Sequence, residues 1–126
     1  MLTSLGVTAI AHLAAPVSLT FTDPEPVLKG AIEGTLRALE AAHKEPSVKS
    51  FVLMSSIAAI VSTKQGPYVF TEADWNDEAG AVVAKLGKKA PGGMIYRASK
   101  TAAERALWNF RDEKKPQFAT TSVNPT

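Results

Sequence analysis

Residues 47–59 read SVKSFVLMSSIAA, and this stretch predicts the central strand of the fold. Its centre, FVLMSS at 51–56, is a continuous apolar run that ends in two serines. Such a run is typical of a strand that is buried on both faces, as in a parallel sheet. Two further strands are predicted on either side of it, one from VTAIAHL at 7–13, also buried on both faces, and one from FATTSV at 118–123.

Helical patterns connect the predicted strands. Asp23 can cap a helix whose first residue is Pro24, and apolar residues then recur at spacings of four, four and three until about His43. A second helix is predicted from about Met94, with alanines at steps of four, and it stops before Pro116. The order of elements predicts right-handed crossovers in a parallel sheet with helices on its faces, which is an α/β doubly wound arrangement.

Between the second strand and the second helix lies a long excursion at 62–93, punctuated by glycine and proline. A helical turn is predicted within it, around Trp75 to Lys85. Long excursions of this kind are usually functional or disordered.

The composition describes one soluble globular domain. The 126 residues include 14 Lys and Arg against 12 Asp and Glu, a net charge of +2, and 45% of them are apolar. These values exclude a disordered tail, collagen and a coiled coil. With no cysteine and only His12 and His43 as imidazoles, we expect no metal site, and we interpret His12 as a core residue.

Charge patterning bears on partners and location. The basic stretch at 85–115 has neither a recognisable docking motif nor a stacking platform, so we expect no nucleic-acid partner. No Lys or Arg precedes Lys29, and the apolar start is too short and broken to span a bilayer. We therefore expect a cytoplasmic protein without a secretory signal or a membrane segment.

Reactive side chains in a doubly wound sheet collect at the carboxyl ends of the strands. Here small and polar residues follow each predicted strand: Ala14 and Ala15 follow the first, Ser55 and Ser56 the second, and Asn124 and Pro125 the third.

Tyr96 and Lys100 add a second chemical signal. They stand four residues apart in a helical pattern, so both side chains project from one face. An ammonium near a phenol favours the phenolate, which makes a tyrosine usable as an acid and a base. Such a pair alone is a weak signal, but here it lies in a fixed order of motifs: HLAAP, VLMSSIAA, YRASK and SVNP.

On these motifs the chain resembles the middle of an extended short-chain dehydrogenase/reductase of the NAD-dependent epimerase/dehydratase superfamily. SVKSFVLMSSIAA, TEADWN, YRASKTAAERALWNF and SVNP are most similar to fungal NADPH-dependent aldehyde and ketone reductases of the dihydroflavonol-reductase-like group. The resemblance covers essentially the whole chain. It implies that residues 1–126 are part of a Rossmann-type NAD(P)-binding domain.

The resemblance also implies a catalytic set for reducing a small-molecule aldehyde or ketone. Tyr96 would protonate the carbonyl oxygen while the nicotinamide delivers a hydride to the carbonyl carbon. Lys100 would bind the nicotinamide ribose and favour the tyrosine phenolate, and Ser56 would hydrogen-bond the substrate oxygen.

For the cofactor, the resemblance implies NADPH, with NADH not excluded. Ala14 and Ala15 would pass close to it, since small side chains let the backbone approach. Pro125 would lie near the nicotinamide carboxamide.

The sequence departs from the family in two places. The glycine-rich G-x-x-G-x-x-G turn that holds the cofactor pyrophosphate is absent, as is the substrate-binding region after the Asn-Pro turn. We therefore expect a truncated chain that has an exposed sheet edge, self-associates through it and reduces carbonyls poorly by itself. The alternative is a non-catalytic remnant or interaction module that pairs this edge with another chain. An epimerase or dehydratase acting on a nucleotide sugar is disfavoured by the reductase-like sequence around Trp75.

Overall fold

Three strands form one parallel sheet, namely β1 (Ala9–His12), β2 (Ser50–Met54) and β3 (Ala119–Val123). The computed structural model describes residues 6–126. The strand order is β1-β2-β3, so β2 is central. Register places Ile10, Phe51 and Thr120 side by side, so these three side chains lie on the same face of the sheet.

Three helices accompany the sheet, namely α1 (Pro24–His43), α2 (Asp77–Leu86) and α3 (Gly92–Lys114). The Asp23 side chain accepts a hydrogen bond from the Glu25 amide at 3.2 Å, which caps α1 as predicted. At the other end of the chain, Lys115 takes a left-handed conformation with φ of 45°, and α3 ends there.

The structure confirms the α/β class and the parallel sheet with crossover helices. All three predicted strands are present, and α2 lies where the excursion was predicted to contain a helical turn. Because the strand order does not reverse, two right-handed crossovers bring α1 and α3 onto the same face. There the large apolar side chains form the core, which contains Leu39, Phe51, Leu53, Leu107 and Phe110.

The prediction that the first two strands are buried on both faces is wrong for the described residues. In β1, Ala9 and Ala11 are exposed while Ile10 is partly buried. In β2, Phe51 and Leu53 are buried, but the residues between and beside them are only partly so. The reason is that within residues 6–126 the core helices pack on the Phe51 face alone. An apolar run indicates that both faces of a strand can be covered by other elements. Within residues 6–126, helices cover only one of them.

Candidate active site

The carboxyl ends of the three strands open onto one cleft, with a volume of about 600 Å³. Its floor is the end of β2, and one wall is the first turns of α3. Most of the predicted site residues line it, namely Ala15, Ser56, Tyr96, Lys100 and Pro125. Ala14 lines a smaller adjoining pocket, which also reaches Ala15 and Lys100. The fold therefore gathers residues that are far apart in the sequence.

Ser56 ends β2 and begins a short 3-10 turn, Ile57–Ala59. Its side-chain oxygen accepts a hydrogen bond from the Ala58 amide at 3.0 Å, which fixes its position. The residue is 8% exposed. Because the oxygen serves as an acceptor towards the turn, the hydroxyl hydrogen can be donated to a ligand in the cleft.

Ser55, its neighbour, is oriented differently. Its hydroxyl donates to a carboxylate oxygen of Glu104 at 2.6 Å, in the interior of the protein. The two serines therefore differ in their partners: Ser55 is bonded to Glu104, whereas Ser56 is bonded to the following turn and lines the cleft.

Tyr96 and Lys100 lie one turn apart on α3, as their spacing predicts. The Lys100 ammonium lies 5.8 Å from the centre of the Tyr96 ring. Lys100 is only 7% exposed, and no carboxylate among the described residues forms an ion pair with it. The lysine is therefore largely buried, with an ammonium that has no protein anion and depends on water or a ligand in the cleft for its hydrogen bonds.

A strap formed by residues 13–21 crosses the start of α3. Gly92 is required at this crossing, because a β carbon there would overlap the carbonyl oxygen of Leu19 and lie 2.9 Å from the Phe21 amide nitrogen. The strap places three exposed apolar side chains at the rim of the cleft: Leu13, Val17 and Leu19.

His12 lies on the Phe51 face of β1 and borders the small pocket next to Lys100. Burial, and secondarily the Lys100 ammonium, lower the pKa of the His12 imidazole below its ordinary value. The imidazole is therefore neutral near pH 7 and adds no positive charge beside Lys100.

Sequence reasoning missed Glu104, which is buried behind the cleft and accepts three hydrogen bonds. The available signal was spacing, because Tyr96, Lys100 and Glu104 follow each other at intervals of four and so share one face of α3.

Metal binding and membrane spanning can be assessed over residues 6–126. In this part of the chain, no three His, Asp or Glu side chains are grouped closely enough to hold a metal ion. No helix in it is sufficiently long and apolar to cross a bilayer.

Comparison with known proteins identifies the family. The family model of NAD-binding domains described as male sterility protein matches residues 2–120. The chain belongs to this family. The predicted membership of the extended short-chain dehydrogenases/reductases is confirmed by this match together with the relatives below.

Two curated relatives are reductases. Aldehyde reductase 2 of Sporidiobolus salmonicolor is 42% identical over 125 residues, covering 95% of this chain and 36% of the relative. Dihydroflavonol 4-reductase of Arabidopsis thaliana is 34% identical over 122 residues, covering 96% of this chain and 30% of the relative. The chain thus spans about a third of the length of these relatives.

A solved structure shows the same fold around a cofactor. Yeast methylglyoxal/isovaleraldehyde reductase Gre2, complexed with NADPH, superposes with a TM-score of 0.82 at 29% identity. The match covers 98% of this chain and 37% of that chain. The prediction that NADPH is a cofactor of this family is confirmed.

Proposed function

We propose that the cleft is the active site of an NADPH-dependent reductase that converts an aldehyde or a ketone to the alcohol. The observation that carries the proposal is the grouping of Ser56, Tyr96 and Lys100 around one cleft, with the Lys100 ammonium 5.8 Å from the Tyr96 ring centre. Active sites of parallel α/β sheets lie at the carboxyl ends of the strands, which is where this cleft lies.

The residues present fit the nicotinamide end of the cofactor. Lys100 lines the cleft and its ammonium lacks a carboxylate partner among the described residues, so ribose hydroxyls would provide oxygen acceptors for it. Ala14 and Ala15 line the space beside Lys100 with small side chains, and Pro125 lines the same cleft as Lys100. When bound, NADPH supplies the hydride for the carbonyl carbon.

The chain's own side chains perform the proton chemistry. The Ser56 hydroxyl donates a hydrogen bond to the carbonyl oxygen and stabilises the negative charge that develops on it. The Tyr96 phenol then transfers its proton to this oxygen, which completes the alcohol. The Lys100 ammonium stabilises the resulting phenolate through its positive charge.

The proposal concerns the protein to which this cleft belongs. Because the chain spans about a third of its relatives, the activity, the carbonyl substrate and the cytoplasmic location are proposed for that whole protein. The 126 residues alone are expected to reduce carbonyls poorly.

The test compares the two tyrosines of the chain. The mass of the native protein is established from peptides that include residues 96–105, and NADPH oxidation by the purified wild type and variants is then followed with a panel of aldehydes and ketones. We expect Tyr96→Phe to lower kcat by about 100-fold or more, since a general acid is removed. Tyr68→Phe, in an exposed loop, should leave kcat unchanged. Equal activity of the wild type and Tyr96→Phe would refute the assignment.

A second candidate function rests on the uncovered face and the edge strands of the sheet. Here β1 and β3 are edge strands within residues 6–126, and Ala9 and Ala11 are exposed. An uncovered parallel sheet can pair with another chain or with a second copy of itself. Light scattering on the purified chain separates these possibilities: a dimer that ignores NADPH supports an interaction module, whereas a monomer argues against self-association.

A further inference from the structure

Glu104 is a charged residue inside the protein, with 6% of its surface exposed. One carboxylate oxygen accepts hydrogen bonds from the Ser55 hydroxyl at 2.6 Å and from the Asn124 side-chain amide at 2.9 Å. The other oxygen accepts from the indole N–H of Trp108 at 3.4 Å. Burial of a carboxylate is tolerated when donors surround it in this way.

These donors come from different elements. Ser55 follows β2, Asn124 follows β3, and Glu104 lies on α3. The Asn124 amide also donates to the main-chain oxygen of Ser56 at 3.0 Å. One carboxylate therefore connects the helix that carries Tyr96 to both strand ends that form the rest of the cleft.

Main-chain bonds continue the sheet beyond the last strand residues. The Ser55 amide donates to the Val123 carbonyl at 2.9 Å, and the Ile57 amide donates to the Pro125 carbonyl at 3.0 Å. These bonds hold Ser56 beside Pro125. They do not by themselves fix either residue relative to α3. Thr101 of α3 reaches the turn after Ser56 indirectly, through Asn76, whereas Glu104 makes charge-assisted hydrogen bonds to both strand ends directly.

Along α3, Tyr96, Lys100 and Glu104 lie on one stripe, each about 6 Å further along the axis than the last. We propose that Glu104 is a positioning residue, whose carboxylate holds Ser56 and Pro125 at a fixed distance from Tyr96 and Lys100. The effect of Glu104 on catalysis rests on the proposed reductase function. Its effect on the positions of Ser56 and Pro125 does not, and can be measured in the chain without cofactor or substrate.

The competing explanation is that Glu104 merely fills space. Two substitutions distinguish the explanations. Glu104→Leu keeps most of the volume but removes every acceptor, which leaves the buried donors of Ser55 and Asn124 unpaired. Glu104→Gln keeps one acceptor oxygen and is expected to have an intermediate effect. Glu113→Gln, at an exposed position of the same helix, is the matched control.

The first readout is amide hydrogen exchange of the full 126-residue chain, resolved by residue. In Glu104→Leu we expect exchange of the Ser55 and Ile57 amides to become about tenfold faster or more, because their strand ends open locally. Exchange of the Leu39 and Leu107 amides, in the core, should change far less. Glu104→Gln should fall between, and Glu113→Gln should match the wild type. Unchanged exchange at Ser55 and Ile57 in Glu104→Leu would overturn the proposal.

A milder variant covers the case in which Glu104→Leu does not fold. Ser55→Ala removes a single donor and should accelerate exchange of the Ile57 amide by a smaller factor, with the core amides unaffected. If core and site amides accelerate together in both Ser55→Ala and Glu104→Gln, the role of Glu104 is general stability and the proposal fails.

Kinetics of the native protein provide the second readout. Glu104→Gln should lower kcat for carbonyl reduction by about tenfold with little change in the KM of the carbonyl, because alignment of the reacting groups is disturbed. A raised KM with an unchanged kcat would contradict positioning. If exchange becomes faster in Glu104→Leu but the wild-type protein has no reductase activity, the positioning role is supported and the proposed function is refuted. Failure of the positioning proposal and failure of the proposed function can therefore be told apart.

Discussion

The two halves of α3 differ in what they bury. The C-terminal half packs Leu107, 0% exposed, and Phe110 against Phe51 and Leu39 in the apolar core. The part of α3 up to Glu104 also buries apolar side chains, Ile95 and Ala98, in a second cluster with α2, and in addition it buries the polar residues Lys100 and Glu104. The same helix thus stabilises the fold along its whole length, and its earlier turns also contribute polar side chains to the candidate site.

The difference follows from position along the sheet. The first turns of α3 lie at the carboxyl ends of the strands, where the backbone turns away and leaves a cleft. The later turns lie over β2, where Phe51 and Leu53 meet apolar partners. Changes at the apolar positions of the later turns should therefore affect folding, whereas changes at the polar positions of the earlier turns should affect the site.

The largest effect is expected from Leu107→Ala. Removing a fully buried leucine should lower the free energy of unfolding by about 2–5 kcal/mol, because apolar contacts are lost and a cavity remains. Urea denaturation measures this. Leu86→Ala, at a leucine that is 40% exposed, is the control and should lose less than about 1 kcal/mol. Equal losses in the two variants would show that α3 does not carry the core.

Gly92→Ala tests how the strap is held against α3. The added methyl group must displace the main chain of Leu19, so we expect a loss of about 1–3 kcal/mol in the free energy of unfolding. Gly93→Ala is the matched control, since a β carbon there meets nothing within 4 Å. Alanine is also the better helix former, so the control should be neutral or stabilising by up to about 1 kcal/mol. The same result in both variants would mean that the strap does not touch α3.

Lys100→Met should stabilise the chain, in contrast to the two preceding variants. Replacing a largely buried lysine that has no protein anion by an apolar side chain of similar length should raise the free energy of unfolding by about 0.5–2 kcal/mol, and we expect cofactor binding to be lost. Thermal or urea unfolding measures the gain. Lys114→Met, at an exposed position, should change stability by less than about 0.5 kcal/mol. Destabilisation by Lys100→Met would show that the lysine supports the fold rather than a ligand.

The smallest effect concerns His12 and pH. Because burial and Lys100 lower its pKa in the folded state, the unfolded chain binds more protons below about pH 6.5. Stability should therefore decline as the pH falls from 7.5 to 5.5, and His12→Gln should decline less over that range. Urea midpoints at the two pH values measure the difference, with His43→Gln as the control variant. A decline in His12→Gln equal to that of the wild type would exclude this contribution.

Local patterns predicted most of the fold. Asp23 and Pro24 predict the start of α1, and the apolar spacing that follows predicts its length, because capping and amphipathicity act within a few residues. The one-sided burial of β1 was not predictable, since an apolar run does not indicate whether a second layer covers it.

The candidate site was predictable in part, because some of its residues are placed by local patterns. Strand ends and the spacing of Tyr96 and Lys100 bring the predicted residues to one cleft. The contact of Gly92 with Leu19 and the hydrogen bonds of Glu104 join segments far apart in the sequence, and no local pattern encodes them. They emerge only when the helix has packed on the sheet.

The earlier turns of α3 and the strand ends are proposed to bind the nicotinamide end of the cofactor. Binding is measured by titrating the 126-residue chain with reduced nicotinamide mononucleotide and following the amide chemical shifts. We predict that the largest shifts fall on Ala14, Ala15, Ser56 and Lys100, and that Lys100→Met removes them. Unperturbed amides at these positions, or larger shifts in the separate cavity bordered by Phe70 and Thr121, would contradict it.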